Sequence, residues 1–161
     1  MSKLSDVMAY VCQRYPHKDE LSKARLAKII YLADWRSAIE RGEQITDVQW
    51  KFNHYGPYVD DILETAERDD KRFRVLNTLN LCGNPKDVIK LKDASSKTEL
   101  SAQEKQDIEF IIEKTKRLYW KDFINLVYST YPVLSQERQT VLDLPKLAKA
   151  YSHSQNTAWK Y

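Results

Sequence analysis

The chain has 161 residues, 42% of them hydrophobic and 30% charged, which is the size and composition of one globular domain. Its formal net charge of +3 is too small to indicate nucleic-acid binding, although residues 1–70 carry 10 basic and 13 acidic side chains and residues 71–161 carry 16 and 10. No apolar run approaches the roughly 20 residues that span a bilayer, and there is no signal-peptide core, so a cytoplasmic protein without membrane contact is expected.

Two helices are predicted in the first quarter of the chain. Apolar residues repeat at three and four positions over residues 4–15 and again over residues 22–41. Pro16 ends the first helix. The second has a broad apolar face, typical of a central helix packed on several neighbours, and Gly42 stands where a glycine commonly follows a helix.

An aromatic segment follows a short loop at residues 43–47. Residues 48–52 fit either an extended strand or a helix. Gly56 frees the backbone, and Pro57 is predicted to occupy the first turn of a further helix. That helix would bury apolar side chains and expose several carboxylates: Asp60, Asp61, Glu64, Glu67, Asp69 and Asp70.

The period changes to two between residues 73 and 92, around a turn at residues 83–85, which predicts a β-hairpin. Ser101 and Glu104 form a capping box that opens another helix. Two more helices are predicted, one ending near Pro132 and one opening at Pro145. The sequence therefore predicts a mainly α (α+β) fold, a compact bundle of about six helices with one small β-hairpin around residues 73–92. Residues 1–151 are expected to form a single domain and residues 152–161 a flexible tail.

No pattern of catalytic or metal-binding residues is apparent. The three histidines, His17, His54 and His153, lie in separate segments, and the two cysteines, Cys12 and Cys82, provide neither a disulfide framework nor zinc spacing. The chain lacks a glycine-rich phosphate loop and a nucleophile elbow. We expect no enzyme activity, no cofactor and no metal. The alternative is a nuclease or hydrolase built on the acidic cluster of residues 60–70.

Five aromatic side chains fall within 24 residues, and two interpretations of them stay open. Large aromatics fill small helical cores, which suits Trp35 and Phe52. Tyrosine and tryptophan are also favoured at protein interfaces, which suits Tyr55 and Tyr58. Trp50 fits either interpretation.

A helix followed by a two-stranded wing is also the outline of a winged-helix DNA-binding protein. Lysines of the hairpin region would then touch phosphates, as would the basic patch at residues 114–121. However, the helix before the hairpin is the acidic one, and the duplex would repel it. DNA is therefore the less favoured partner. The lysines concerned are Lys86, Lys90, Lys92 and Lys97.

Three blocks occur in order in the first half of the chain: a helical block at residues 25–34, a loop at residues 42–47 and an aromatic segment at residues 50–58 that ends in Tyr-Gly-Pro-Tyr. In this order and spacing they resemble the Panacea domain family, the family of the Soc-type antitoxins and of phage-associated proteins. The specific match covers roughly residues 21–66. Gln44 departs from the pattern, since many members have proline there.

The resemblance implies an antitoxin that neutralises a cognate toxin, encoded by a neighbouring gene, through direct binding. It also implies a prophage context and, for at least one relative, delivery of the toxin to a protease. The expected fold-building motif residues are Tyr31, Asp34, Gly42, Gly56 and Pro57, with Asp34 accepting hydrogen bonds from loop amides. The expected partner-binding residues are Trp50, Asn53, Tyr55, Tyr58, Asp61 and Glu64. The alternative function is a DNA-binding transcriptional regulator of phage or mobile-element origin.

Overall fold

The computed structural model describes residues 3–54 and 56–154. Within that part of the chain there are seven α-helices, one 3-10 helix (Lys18–Glu20) and five strands, so the protein is mainly α with some β, as predicted. None of the described helices is long and apolar enough to cross a membrane. The helices are α1 (Lys3–Arg14), α2 (Lys23–Arg41), α3 (Asp61–Arg68), α4 (Ala102–Thr115), α5 (Trp120–Tyr128), α6 (Tyr131–Ser135) and α7 (Leu144–Ser154). The strands are β1 (Trp50–Asn53), β2 (Gly56–Tyr58), β3 (Phe73–Leu79), β4 (Pro85–Leu91) and β5 (Val141–Leu142).

The central position predicted for α2 is confirmed. Every residue from Arg25 to Trp35 is buried, and α2 packs against α4, α7 and β2. The Ser22 side chain caps the helix by accepting a hydrogen bond from the Arg25 amide, and Gly42 ends it with a left-handed φ of 78°. One core formed by side chains from Leu4 to Ala148 surrounds this helix.

The segment after α2 differs from the sequence prediction. Pro57 does not open a helix: it lies in β2, which pairs antiparallel with β1 and places Phe52 opposite Pro57. The strand order β2-β1-β5 makes β2 an edge strand, and proline is tolerated there because no ladder hydrogen bond needs its missing N–H. The following helix, α3, begins at Asp61. Strand β5 was not predicted at all, since two residues carry no periodic signal.

The predicted hairpin is confirmed as β3 and β4, paired in register from Phe73 opposite Leu91 to Leu79 opposite Pro85. Its base is anchored in the core through Phe73 and Ile89, whereas its tip is exposed. The predicted capping box at Ser101 and Glu104 is also present. Helix α7 continues to Ser154, and the remainder of the predicted tail lies outside the described residues.

Candidate partner-binding surface and its supporting loop

A buried carboxylate holds the loop between α2 and β1. Asp34 is completely buried in the middle of α2. Its Oδ1 accepts hydrogen bonds from the backbone amides of Ile45 and Thr46, both at 3.0 Å, which is the contact expected from the sequence. Its Oδ2 accepts from the Thr46 hydroxyl at 2.6 Å and from the Trp50 indole Nε1 at 2.9 Å. The start of the loop and the first residue of β1 are therefore fixed to one side chain of the central helix.

The charge state of Asp34 follows from two opposing effects. Burial raises the pKa of Asp34 to about 6, while hydrogen bonds from Thr46, Trp50 and Ile45 oppose that rise. Asp34 is thus ionised at neutral pH. The Gln44 side-chain amide also donates to Oδ2, at 3.5 Å, so the five groups bonded to Asp34 are all donors. This matches an ionised carboxylate because that group only accepts.

Gln44 stabilises the same loop through hydrogen bonds of its side chain. Its side-chain amide donates to the carbonyl of Thr46 at 3.1 Å and to the carbonyl of Val48 at 2.9 Å. These bonds satisfy two loop carbonyls that a proline at this position would leave without that donor. Gln44 thus supplies hydrogen bonds within the loop that proline could not.

Tyr31 and Gly56 connect the motif to the second half of the chain. The Thr130 hydroxyl donates to the Val127 carbonyl, so the buried Tyr31 hydroxyl donates to Thr130 Oγ1, at 2.8 Å. At Gly56 the backbone has a φ of 93°, and a Cβ there would lie 2.6 Å from Cε1 of Tyr128. Glycine is required at this position by both the backbone conformation and the close approach of α5.

Tyr58, in β2, covers an unusual buried lysine. Lys28 of α2 has only 1% of its surface exposed, and its Nζ lies 5.8 Å from the centre of the Tyr58 ring. Burial lowers the pKa of Lys28 to about 8, and no carboxylate of the described residues offsets that effect. Tyr58 itself is only half-buried. The ammonium group of Lys28 therefore rests mainly on an aromatic ring at the border of the surface.

The outer face of α3 is acidic and exposed. Among the described residues, no basic side chain forms an ion pair with the carboxylates of this helix or with Asp60, which directly precedes it, whereas Asp19 pairs with Lys90. We call this face, together with Tyr58, the acidic surface. Its carboxylates are Asp60, Asp61, Glu64 and Glu67.

The residues expected to bind a partner are distributed unevenly. Asp61 and Glu64 are exposed on α3, and Tyr58 and Asn53 are half-buried at the edge and end of the β1–β2 hairpin. Trp50 is completely buried against Asp34, so its side chain belongs to the core and not to this surface. Tyr55 lies outside the described residues.

The sequence did not single out Lys28, Thr46 or Thr130 as members of this site. Thr46 lies five residues after the last residue of α2, and a hydroxyl at that place is a weak signal for hydrogen bonding within a loop. Lys28 lies on the buried face of a predicted core helix, which is a usable signal because lysine is rarely buried. Thr130 is distant in sequence and could be found only from the fold.

Strand β4 forms ion pairs with residues outside the hairpin. Lys90 forms an ion pair with Asp19, and Lys23 forms one with Asp87 of β4 at 3.2 Å.

Among the described residues, no group of three or more histidine, cysteine or acidic side chains could hold a metal ion. The buried thiol of Cys12 donates to the Ile89 carbonyl, and burial raises the pKa of Cys12 to about 12, so it is not a thiolate at neutral pH.

The chain thus combines a central helix, whose buried carboxylate holds a loop and the first strand of an aromatic hairpin, with an exposed acidic helix. The sequence of residues 26–132 matches the model of the family described as "Antitoxin SocA-like, Panacea domain". The match covers about two thirds of the chain, and the chain belongs to this family. No curated protein and no solved structure gives a significant match to the chain.

Proposed function

We propose that the protein is an antitoxin that neutralises a cognate toxin by direct binding, and that it acts by binding and not by catalysis. The observation that carries the proposal is the family match over residues 26–132, which includes the Asp34 anchor, the β1–β2 hairpin and α3. We expect the toxin to be the product of a neighbouring gene.

The acidic surface is the proposed contact with the toxin. Its exposed carboxylates, such as Asp61 and Glu64, are not paired within the described part of the chain, so they are free to meet basic groups of a partner. Complementary charge across an interface raises the association rate and selects the partner. The adjoining half-buried Tyr58 offers an aromatic contact of the kind that dominates interface energies. We therefore expect the toxin to present a basic face.

Co-expression with the neighbouring gene product tests this proposal. The toxin gene alone should arrest growth, and the wild-type protein should restore growth and copurify with the toxin as a stoichiometric complex. The double variant D61K/E64K should lose both effects because it reverses two charges on the acidic surface. The matched control E99K reverses an exposed carboxylate elsewhere and should behave as wild type. Circular dichroism melts establish that both variants are folded.

Two results would contradict direct neutralisation, and a third would contradict only the acidic surface as the place of contact. Recovery of DNA without a protein partner would favour the transcriptional regulator. Growth rescue with rapid loss of the toxin in pulse-chase labelling would favour a proteolytic adaptor. Full rescue by D61K/E64K would place the contact on another face of the protein.

A further inference from the structure

The outer edge of β3 is unpaired. The sheet that contains it has only two strands, β3 and β4. The other edge of the hairpin is partly covered, because the Ile89 amide donates to the Leu21 carbonyl at 3.0 Å and Ser22 bridges to Val88. No backbone hydrogen bond from any described residue reaches the outer edge of β3 beyond Phe73.

The register identifies which backbone groups are free. Bonds from the Lys92 amide to the Arg72 carbonyl and from the Asn80 amide to the Asn84 carbonyl, both 2.9 Å, fix the alternation of the ladder. Even-numbered residues of β3 therefore bond to β4, and odd-numbered residues direct their N–H and C=O groups outward. The residues with free outward groups are Val75, Asn77 and Leu79.

This edge has none of the usual protection against pairing. Exposed edges are commonly blunted by charged residues, proline or a bulge. The segment from Val75 to Leu79 has no charged residue and no proline, and its pairing with β4 is continuous without a bulge. Leu79 is 64% exposed and Leu81, at the hairpin tip, is fully exposed. An edge of this kind is a template for another strand.

We propose that the β3 edge pairs antiparallel with the β3 edge of a second copy of this chain, so that two hairpins form one four-stranded sheet. With the two-fold axis at Asn77, Val75 lies opposite Leu79 of the second copy, and Asn77 lies opposite itself. These are the residues with outward groups, so every free N–H and C=O between Val75 and Leu79 finds a partner.

Side chains and charge fit the same register. Val75 is paired with Ile89 and Leu79 with Pro85, so the dimer forms a continuous apolar row from Ile89 through Val75 to Leu79 and Pro85 of the second copy. The first charged residue, Arg74, lies opposite Asn80 of the second copy, and no like charges face each other. The neutral edge offers no counter-charge to the basic toxin proposed above, which favours a second copy as its occupant.

Sedimentation velocity over a concentration series tests the dimer. The wild-type protein should show a reversible monomer–dimer equilibrium, and L79K should weaken it by about tenfold or more, because two lysines then approach the shared edge. The matched control L134K changes a leucine of α6 that is 72% exposed and should leave the equilibrium unchanged. Both substitutions are at exposed positions, so the fold should be retained.

Cross-linking tests the register. In a C82S background, N77C places two cysteines opposite each other at a Cα–Cα distance of about 5.5 Å, within disulfide range. Mild oxidation should give a covalent dimer with N77C and not with the control R74C, because the two copies of residue 74 lie far apart in the proposed register.

A wild-type protein that is monomeric at every concentration, or a dimer that L79K leaves intact, would overturn the proposal. If the wild-type protein is monomeric on its own and L79K weakens toxin binding, the edge belongs to the toxin instead. Failure of D61K/E64K to affect toxin binding bears only on the acidic surface.

Discussion

The indole Nε1 of Trp50 donates a hydrogen bond to Oδ2 of Asp34 at 2.9 Å, and both side chains are completely buried. This bond joins the middle of α2 to the first residue of β1 across the intervening loop. The Trp50 ring also packs edge-on against Tyr31, with ring centres 5.7 Å apart. The core of the domain is thus organised around a polar contact between residues of the helical and the aromatic motif blocks.

Replacing Trp50 by phenylalanine should destabilise the protein more than the same change at Trp35. Both indoles are completely buried, but Trp35 Nε1 has no hydrogen-bond partner among the described residues. W50F removes a bond to a charged acceptor, whereas W35F removes an unsatisfied donor. We expect a difference of about 2–4 kcal/mol in the free energy of unfolding, measured by urea titration. Equal costs would mean that the Asp34 bond contributes nothing beyond packing.

Asparagine at position 34 should also be costly. An amide has the shape of the carboxylate, but its nitrogen is a donor and would face Trp50 Nε1 or the loop amides, which are donors as well. We expect D34N to lower the free energy of unfolding by about 2–4 kcal/mol, and hydrogen exchange at Ile45 and Thr46 should accelerate. The control D47N changes an exposed residue of the same loop and should cost less than about 0.5 kcal/mol. A similar loss of stability in D34N and D47N would mean that the hydrogen bonds of Asp34 do not hold the loop.

The buried lysine gives a prediction for pH dependence. The pKa of Lys28 falls from its ordinary value of 10.5 to about 8 in the folded protein. Between these two values the unfolded chain binds more protons than the folded one, so the contribution of Lys28 makes stability rise with pH across that window. K28M should remove that rise and increase the free energy of unfolding at pH 7 by up to about 3 kcal/mol.

Thermal melts from pH 7 to pH 11 compare K28M with the control K51M, which changes an exposed lysine of β1. The K51M profile should follow wild type, and the K28M profile should converge with it at high pH. A K28M variant less stable than wild type at pH 7 would show that the ammonium group gains more from the Tyr58 ring than it loses on burial.

Alanine at Gly56 should be more destabilising than alanine at Gly42. Both glycines have positive φ angles, 93° and 78°, so both substitutions carry backbone strain of about 1–2 kcal/mol. At Gly42 the added methyl group meets open space, whereas at Gly56 it lies 2.6 Å from the Tyr128 ring. Chemical denaturation should show the larger loss for G56A, and the double variant G56A/Y128A should recover part of it. Full additivity of the two changes would exclude the steric clash.

Much of the fold could be predicted because its signals are local. The periodicity of residues 22–41, the glycine Gly42, the alternation in residues 73–92 and the capping box at Ser101 each depend on neighbours within a few positions. The Asp34 anchor was also predictable, since an aspartate on a core helix shortly before a loop needs nearby donors. These features follow from chain geometry and from the cost of leaving buried polar groups unsatisfied.

The remaining features depend on contacts between distant parts of the chain. Pro57 lies in a strand because β2 pairs with one edge of β1. Residues 141–142, which are distant in sequence, pair with the other edge of β1. Arg36 and Arg41 of α2 both pair with the buried Asp107 of α4, a contact between residues far apart in the sequence.

The sequence by itself determined the family, the main helices, the hairpin and the acidic character of α3. Only the tertiary structure decided that Trp50 is a core residue, that Lys28 is buried beneath Tyr58 and that the outer edge of β3 is left open. The physical reason is that helix and turn formation depend on residues a few positions apart. Burial and strand pairing depend instead on which distant surfaces come together.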